Sequence, residues 1–322
     1  MIEFNNICKT YQVARRGSGF GNAVKTLFKR EYTTINAISN ISFSIHDGEM
    51  VGYIGPNGAG KSTTIKILSG ILTPDGGTCL VNGQVPWKDR KEYVRQIGVV
   101  FGQRSQLWWD IPVMDSFELL QAIYSIPVPR YRNNLDELTQ LLNLEELLKT
   151  PIRQLSLGQR MRCEIAASLL HGPKLLFLDE PTIGLDAVSK IAVRDFIKRM
   201  NAEHKTTVIL TTHDMQDIEA ITNRVILIGK GRKLLGGTLE DLRLEAEAAE
   251  PECKSPETSK DEKPETSKDE KPEISEDGKP EISEDGNPEI LEDENSETLK
   301  DKGSKPDLDH IIARLYEKLN IM

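Results

Sequence analysis

The sequence is poor in the residues that build sulfur sites and in the runs that span a bilayer. Cysteine occurs four times in 322 residues, at Cys8, Cys79, Cys163 and Cys253. None of these forms a Cys-x-x-Cys pair or joins a histidine cluster, which leaves a zinc site and a disulfide framework without support. Free thiols in a reducing compartment are the simple reading. Aromatic residues amount to 6% and tryptophan to three positions. No apolar run approaches the roughly 20 residues needed to cross a membrane. The opening Met1-Ile2-Glu3-Phe4-Asn5 lacks the basic-then-apolar order of a signal peptide. The expectation is a cytosolic chain that reaches any membrane through a partner.

Charge is uneven. Residues 246–306 hold 21 acidic and 9 basic side chains, a net −12, so the rest of the chain is +3 within a total of −9. A mildly positive body suits a nucleotide and gives no case for nucleic acid. The acidic stretch is repetitive. Pro256-Glu257-Thr258-Ser259-Lys260-Asp261-Glu262-Lys263 recurs unchanged from Pro264, with looser copies from Pro272, Pro280 and Pro288. Proline at every eighth position blocks a long helix. The copies carry too few apolar side chains to offset backbone entropy, and the period is too short for a solenoid. The reading is a disordered acidic linker over 246–306. Order returns in 307–322, where Leu308, Ile311, Ile312, Leu315 and Leu319 recur at helical spacing, with Asp307 or Asp309 as N-cap. Such a short amphipathic helix needs a surface to dock on.

The most informative stretch is Gly55-Pro56-Asn57-Gly58-Ala59-Gly60-Lys61-Ser62-Thr63, which fits the phosphate-loop pattern G-x-x-x-x-G-K-[ST]. The apolar run Met50–Ile54 before it reads as a buried strand, and a helix starts at Thr63. Free N–H groups at that junction converge on phosphate, Lys61 reaches the β- and γ-phosphates, and the Ser62 hydroxyl ligates magnesium. Leu175-Leu176-Phe177-Leu178-Asp179-Glu180 is the second motif. Four apolar residues bury a strand, Asp179 emerges at its end to hold the metal, and Glu180 can polarise water.

Further strands are expected at Ile2–Ile7, at Ile41, Phe43 and Ile45, and at Gly98–Phe101, Thr207–Leu210 and a closing hairpin, Arg224–Ile228 with Arg232–Leu235. Strands alternating with helices imply an α/β fold with a largely parallel sheet. Between about 108 and 170 no strand is expected; Phe117–Tyr124 and Leu135–Leu148 read as helices of a helical subdomain. Ala14–Tyr32 reads as a basic, glycine-bearing surface excursion between two strands. Leu155-Ser156-Leu157-Gly158-Gln159 opens another helix, with Ser156 as cap, and so offers a second anion-binding end.

With these motifs in order, residues Ile2 to Leu242 resemble the ATP-binding subunit of an ABC transporter. The signature LSGGQ is matched by Leu155–Gln159, with Leu157 in place of the first glycine. The resemblance implies a P-loop NTPase core with a helical subdomain and an N-terminal antiparallel β subdomain, together spanning 1–245. It implies ATP and Mg2+ as ligands. It assigns Gly55, Asn57, Gly58, Gly60, Lys61, Ser62 and Thr63 to the phosphates, and Ser62, Asp179 and Gln103 to the metal. Glu180, His213 and Gln103 fall at the catalytic positions. Ser156, Gly158, Gln159 and Asp186 fall at positions that serve a nucleotide held by a second copy. Tyr11 resembles the adenine-stacking aromatic, with Tyr32 as competitor. Gly102-Gln103-Arg104-Ser105-Gln106-Leu107-Trp108-Trp109-Asp110 is similar to the Q-loop of ATPases serving ABC-2-type permeases, mostly exporters. Trp108 and Trp109 suit either core packing or a seat for the membrane subunit. Members of that group often carry a small domain before a final helix; here the octads stand in its place. The implied partners are permease subunits and a second ATPase subunit, a homodimer on the cytoplasmic face of the membrane. The rival readings are a non-transport ABC ATPase acting on ribosome or DNA, and an interaction protein whose acidic tail is the active part. The single phosphate loop and the lack of a long heptad run argue against the former.

Overall fold

The computed structural model describes residues 1–14, 32–102, 104–248 and 308–319. Most of the basic excursion, Gln103, nearly all of the acidic stretch, Cys253 and Asp307 lie outside the described residues.

Alternating apolar residues build the first layer. Ile2 and Phe4 of β1 (Ile2–Ala14) and Phe43 and Ile45 of β2 (Tyr32–Ile45) point into one core. The strands pair antiparallel from Ile2↔Ile45 to Ala14↔Tyr32. The register slips between Phe4 and Ile7, where Asn6 takes a φ of 52°. The bulge restores Ile7 to the core side. β1 is therefore twice as long as its apolar pattern suggests. Following β3 (Met50–Ile54), β4 (Gly76–Val81) adds to the other edge of β1, antiparallel, in the order β2-β1-β4. Its opening Gly76-Gly77-Thr78 hides it from a periodicity search.

The second sheet contains β3, β5 (Ile97–Phe101), β6 (Leu175–Asp179), β7 (Thr207–Thr211), β8 (Arg224–Gly229) and β9 (Arg232–Thr238). Its order is β5-β6-β7-β3-β8-β9, parallel except where β9 closes the expected hairpin on β8. β3, β6 and β7 are buried along their whole length, as continuous apolar runs require in a sheet covered on both faces.

Helices α1 (Lys61–Leu68) and α2 (Arg90–Val94) precede the helical subdomain, which holds α3 (Val113–Tyr124), α4 (Val128–Leu142) and α5 (Leu157–Leu169). The expected helix over Leu135–Leu148 is corrected at both ends. α4 begins at Val128 and stops at Leu142, because Asn143 turns left-handed at φ 50° and the Leu144 N–H closes onto Thr139 O at 3.0 Å. Leu144 and Leu147 are still buried, but from a turn.

α6 (Ala187–His204), α7 (Met215–Ile221) and α8 (Leu239–Glu247) complete the main body. The last helix, α9 (Leu308–Lys318), buries Leu308, Ile311, Ile312, Leu315 and Tyr316 in the same core as Leu242 and Ala246 of α8. Leu319, expected on that face, follows the helix and is 38% exposed. Among the described residues no helix is long and apolar enough to cross a membrane.

Candidate functional site

The strand order brings the site together. β6, β7 and β3 are neighbours and parallel, so their carboxyl ends open on one crevice, where ligands of open α/β sheets bind. β3 feeds the phosphate loop, β6 ends in Asp179 and Glu180, and β7 leads to Thr212 and His213. A cavity of about 520 Å³ is lined by Asn57, Ser62, Asp179, Glu180, Ile183 and His213.

In the loop, Gly58 and Gly60 take φ of 80° and 109°, a backbone that side-chain-bearing residues rarely adopt. Gly60 also passes so close to Ala37 that a Cβ there would lie 2.6 Å from its carbonyl oxygen. Gly55 sits at the end of β3, Thr63 is half-buried on α1, and α1 starts at Lys61, two residues earlier than expected. Lys61 is 5% exposed, and its ammonium donates to Gly55 O at 2.7 Å and Pro56 O at 3.3 Å. Burial draws its pKa below the ordinary lysine value, against the pull of Glu180 and Asp179. Among the described residues no carboxylate lies within ion-pair distance of it. A buried ammonium turned back on its own carbonyls, at a helix N-terminus, is a seat that fits a phosphate chain.

Asp179 is held from two sides. Thr211 Oγ1 donates to its Oδ1 at 2.6 Å and Ser62 Oγ to the same atom at 3.3 Å. A hydroxyl and a carboxylate meeting at the rim of the cavity are hard oxygen donors that fit Mg2+. Glu180 follows with φ 56°, and its N–H donates to Thr211 O at 2.9 Å. A non-glycine residue in that region is strained, and such strain gathers at functional sites. His213 Nδ1 is 3.7 Å from Glu180 Oε1. Glu180 and His213 therefore share one wall of the cavity.

Ser156, Gly158 and Gln159 stand elsewhere. Ser156 caps α5: its Oγ accepts from Gln159 N at 3.2 Å, and Gln159 Oε1 accepts from Ser156 N at 2.8 Å. The Gln159 amide oxygen is thus used within its own turn. Gly158 lets this turn lie directly on α6, where a Cβ would run into Ser189. Asp186 caps α6, accepting from Ser189 N at 2.8 Å and Ser189 Oγ at 2.9 Å. These bonds hold its carboxyl below the usual range. None of Ser156, Gly158, Gln159 and Asp186 lines the cavity. Nor do the two tyrosines: Tyr11 is half-buried opposite Ile35, and Tyr32 is 53% exposed at the foot of the hairpin. Core packing for the paired tryptophans is corrected, since Trp108 is 40% and Trp109 53% exposed, with Arg160 stacked 6.0 Å above the Trp109 ring.

Sequence reasoning missed three supports. Thr211 anchors Asp179, and Gly102 N donates to Asp179 O at 2.8 Å. Glu164, buried on α5, accepts from Ser105 Oγ and from Gln106 N at 3.1 Å. Burial pushes its carboxyl up while those hydrogen bonds oppose the shift. It ties the segment after β5 to the helix capped by Ser156. The available signal was one acid between Cys163 and Ile165 on an otherwise apolar face.

The geometry agrees with known proteins. Residues 38–183 match the ABC transporter family model. The chain is 30% identical over 215 residues to the ABC transporter ATP-binding protein NatA of Bacillus subtilis (strain 168), covering 67% of this chain and 87% of that protein. It is 34% identical over 214 residues to the linearmycin resistance ATP-binding protein LnrL of the same organism, covering 66% and 68%. Among solved structures it is similar to the dimeric ATP-binding cassette MJ0796 in a post-hydrolysis state bound to ADP and Pi. That match has a TM-score of 0.62 and 27% identity, covering 74% of this chain and 99% of that one. An α/β body with an antiparallel β layer, a helical subdomain and a phosphate loop facing an Asp-Glu pair makes this chain a member of the ABC transporter family, one of its ATP-binding proteins.

Proposed function

We propose that this chain is the ATP-hydrolysing subunit of an ABC exporter and works as a homodimer on the cytoplasmic face of a membrane, held there by permease subunits. One observation carries the reading: Ser62, Asp179, Glu180 and His213 converge on one cavity that the capped turn at Ser156 does not line. A second copy, placed head to tail, supplies that turn to the same triphosphate. Lys61 and the loop N–H groups hold the β- and γ-phosphates. Ser62 and Asp179, with Gln103, would hold Mg2+, which would neutralise phosphate charge. Glu180 accepts a proton from the attacking water, and His213 beside it steadies the γ-phosphate. Closure is favoured by ATP because only the γ-phosphate reaches both copies.

Export is supported by relatives such as LnrL and the daunorubicin resistance ATP-binding protein DrrA3 of Streptomyces coeruleorubidus, 32% identical over 217 residues. The exposed Trp108 and Trp109 serve as the apolar seat for the permease. Residues 246–306 link the ATPase body of 1–245 to the terminal helix.

Glu180→Gln is expected to keep ATP binding, lose more than about a hundredfold in turnover, and elute as a dimer on size-exclusion chromatography with ATP and Mg2+. Wild-type turnover in this variant overturns the assignment.

A further inference from the structure

Glu180 and His213 follow neighbouring strands, β6 and β7, which are tied where Glu180 N donates to Thr211 O at 2.9 Å. Beyond that tie, a third carboxylate, on α7, takes a hydrogen bond from each segment. Asp217 is fully buried. Its Oδ2 accepts from Thr212 Oγ1 at 3.2 Å and also from Thr182 Oγ1. Thr212 immediately precedes His213, and Thr182 follows Glu180 by two residues. Both loops thus end on one oxygen atom.

The other half of the carboxylate faces α6. Asp217 Oδ1 accepts from Arg194 Nε at 2.6 Å, so the buried charge is paired. α6 also holds the residue after His213: Lys190 Nζ donates to Asp214 Oδ2 at 2.5 Å, and Arg194 lies 3.7 Å from the same oxygen. Asp214 N in turn donates to Thr212 Oγ1 at 3.0 Å. His213 is therefore flanked on both sides by anchored residues. Glu180 is held in its left-handed conformation with its carbonyl side leading straight to Thr182. A small release at either threonine would let the two reactive groups drift apart, and displacement of about 1 Å can lower a rate about a hundredfold.

We propose that Asp217 is a positioning residue for hydrolysis, which through the hydroxyls of Thr182 and Thr212 sets the placement of Glu180 against His213. This rests on the reading of those two residues given above. The test uses the full chain and measures ATPase kcat and KM together with the thermal midpoint for Thr182→Val, Thr212→Val, the double variant and the corresponding serine variants. Each valine variant is expected to lower kcat about tenfold at unchanged KM. Serine, which keeps the hydroxyl, restores wild-type kcat. Because both hydroxyls meet one acceptor, the double variant loses less than the product of the single losses. Asp217→Asn is expected to lower kcat in the same way. Wild-type kcat in both valine variants, or equal losses in valine and serine variants, overturns the proposal. Alanine at the two positions repeats the test if valine lowers the thermal midpoint. Glu180→Gln is measured alongside: loss of turnover there with unaffected valine variants removes Asp217 alone, whereas wild-type turnover removes the underlying reading as well.

Discussion

Gly102 shows how tightly single residues are set around the cavity. It leaves β5 directly beneath the peptide that follows Asp179, and a Cβ at this position would run into the Glu180 carbonyl oxygen. No flexible side-chain end is there to give way. Gly102→Ala is expected to cost about 1–3 kcal/mol of stability and at least about tenfold in turnover, because the displaced backbone is the one that carries Glu180. Thermal melting and steady-state ATPase kinetics check both numbers; a variant with wild-type turnover would show that this peptide tolerates movement. Lys61, Ser62 and Asp179 were legible in the sequence because their spacing to glycines and apolar runs is local. His213 became legible through order alone, as the residue past a strand and a threonine pair. Gly102, Thr182, Thr211 and Asp217 were not legible, since each acts through a contact with a distant segment. Asp186 was legible only as a position that the resemblance assigns to a second copy's nucleotide; its role as the cap of α6 was not.

At the scale of elements, apolar periodicity recovered what is regular and failed where glycine or a left-handed residue intervenes. The strands Met50–Ile54, Leu175–Leu178 and Thr207–Leu210 were found because they are continuous apolar runs buried on both faces. β4 was missed because half of it is glycine and threonine. α4 was misplaced because the leucines of the turn after Asn143 continue the helical spacing without continuing the helix. The last helix was found because its spacing is clean, and the body supplies the surface it needs. Leu315 is wholly buried there. Leu315→Ala is expected to destabilise the chain by about 2–4 kcal/mol, read as a lowered denaturant midpoint. Turnover at saturating ATP should stay within twofold of wild type, roughly the scatter expected of a change outside the site. A loss below about 0.5 kcal/mol would mean that α9 contributes little to the fold.

For the whole molecule, acid is the expected weakness. His171 is buried, with Nε2 donating to Ile97 O at 2.9 Å and its ring stacked 4.2 Å from Tyr124. Burial holds its pKa down to about 4, with Arg130 adding to the effect and the Ile97 bond opposing it. The unfolded chain, with an ordinary value of 6.5, therefore takes up a proton that the folded chain refuses. The contribution is complete above pH 6.5 and is lost as the pH falls towards 4. The gap corresponds to about 3 kcal/mol. Denaturant midpoints at pH 7 and pH 4 should fall further apart for the wild type than for His171→Phe; equal separations would reject the assignment.

The pairing of α8 with α9, joined also by Lys318 and Glu245 at 3.6 Å, clasps the chain on either side of the acidic stretch. A single protease nick within it would free neither fragment, so the severed piece would still travel with the ATPase until the helix pair itself came apart.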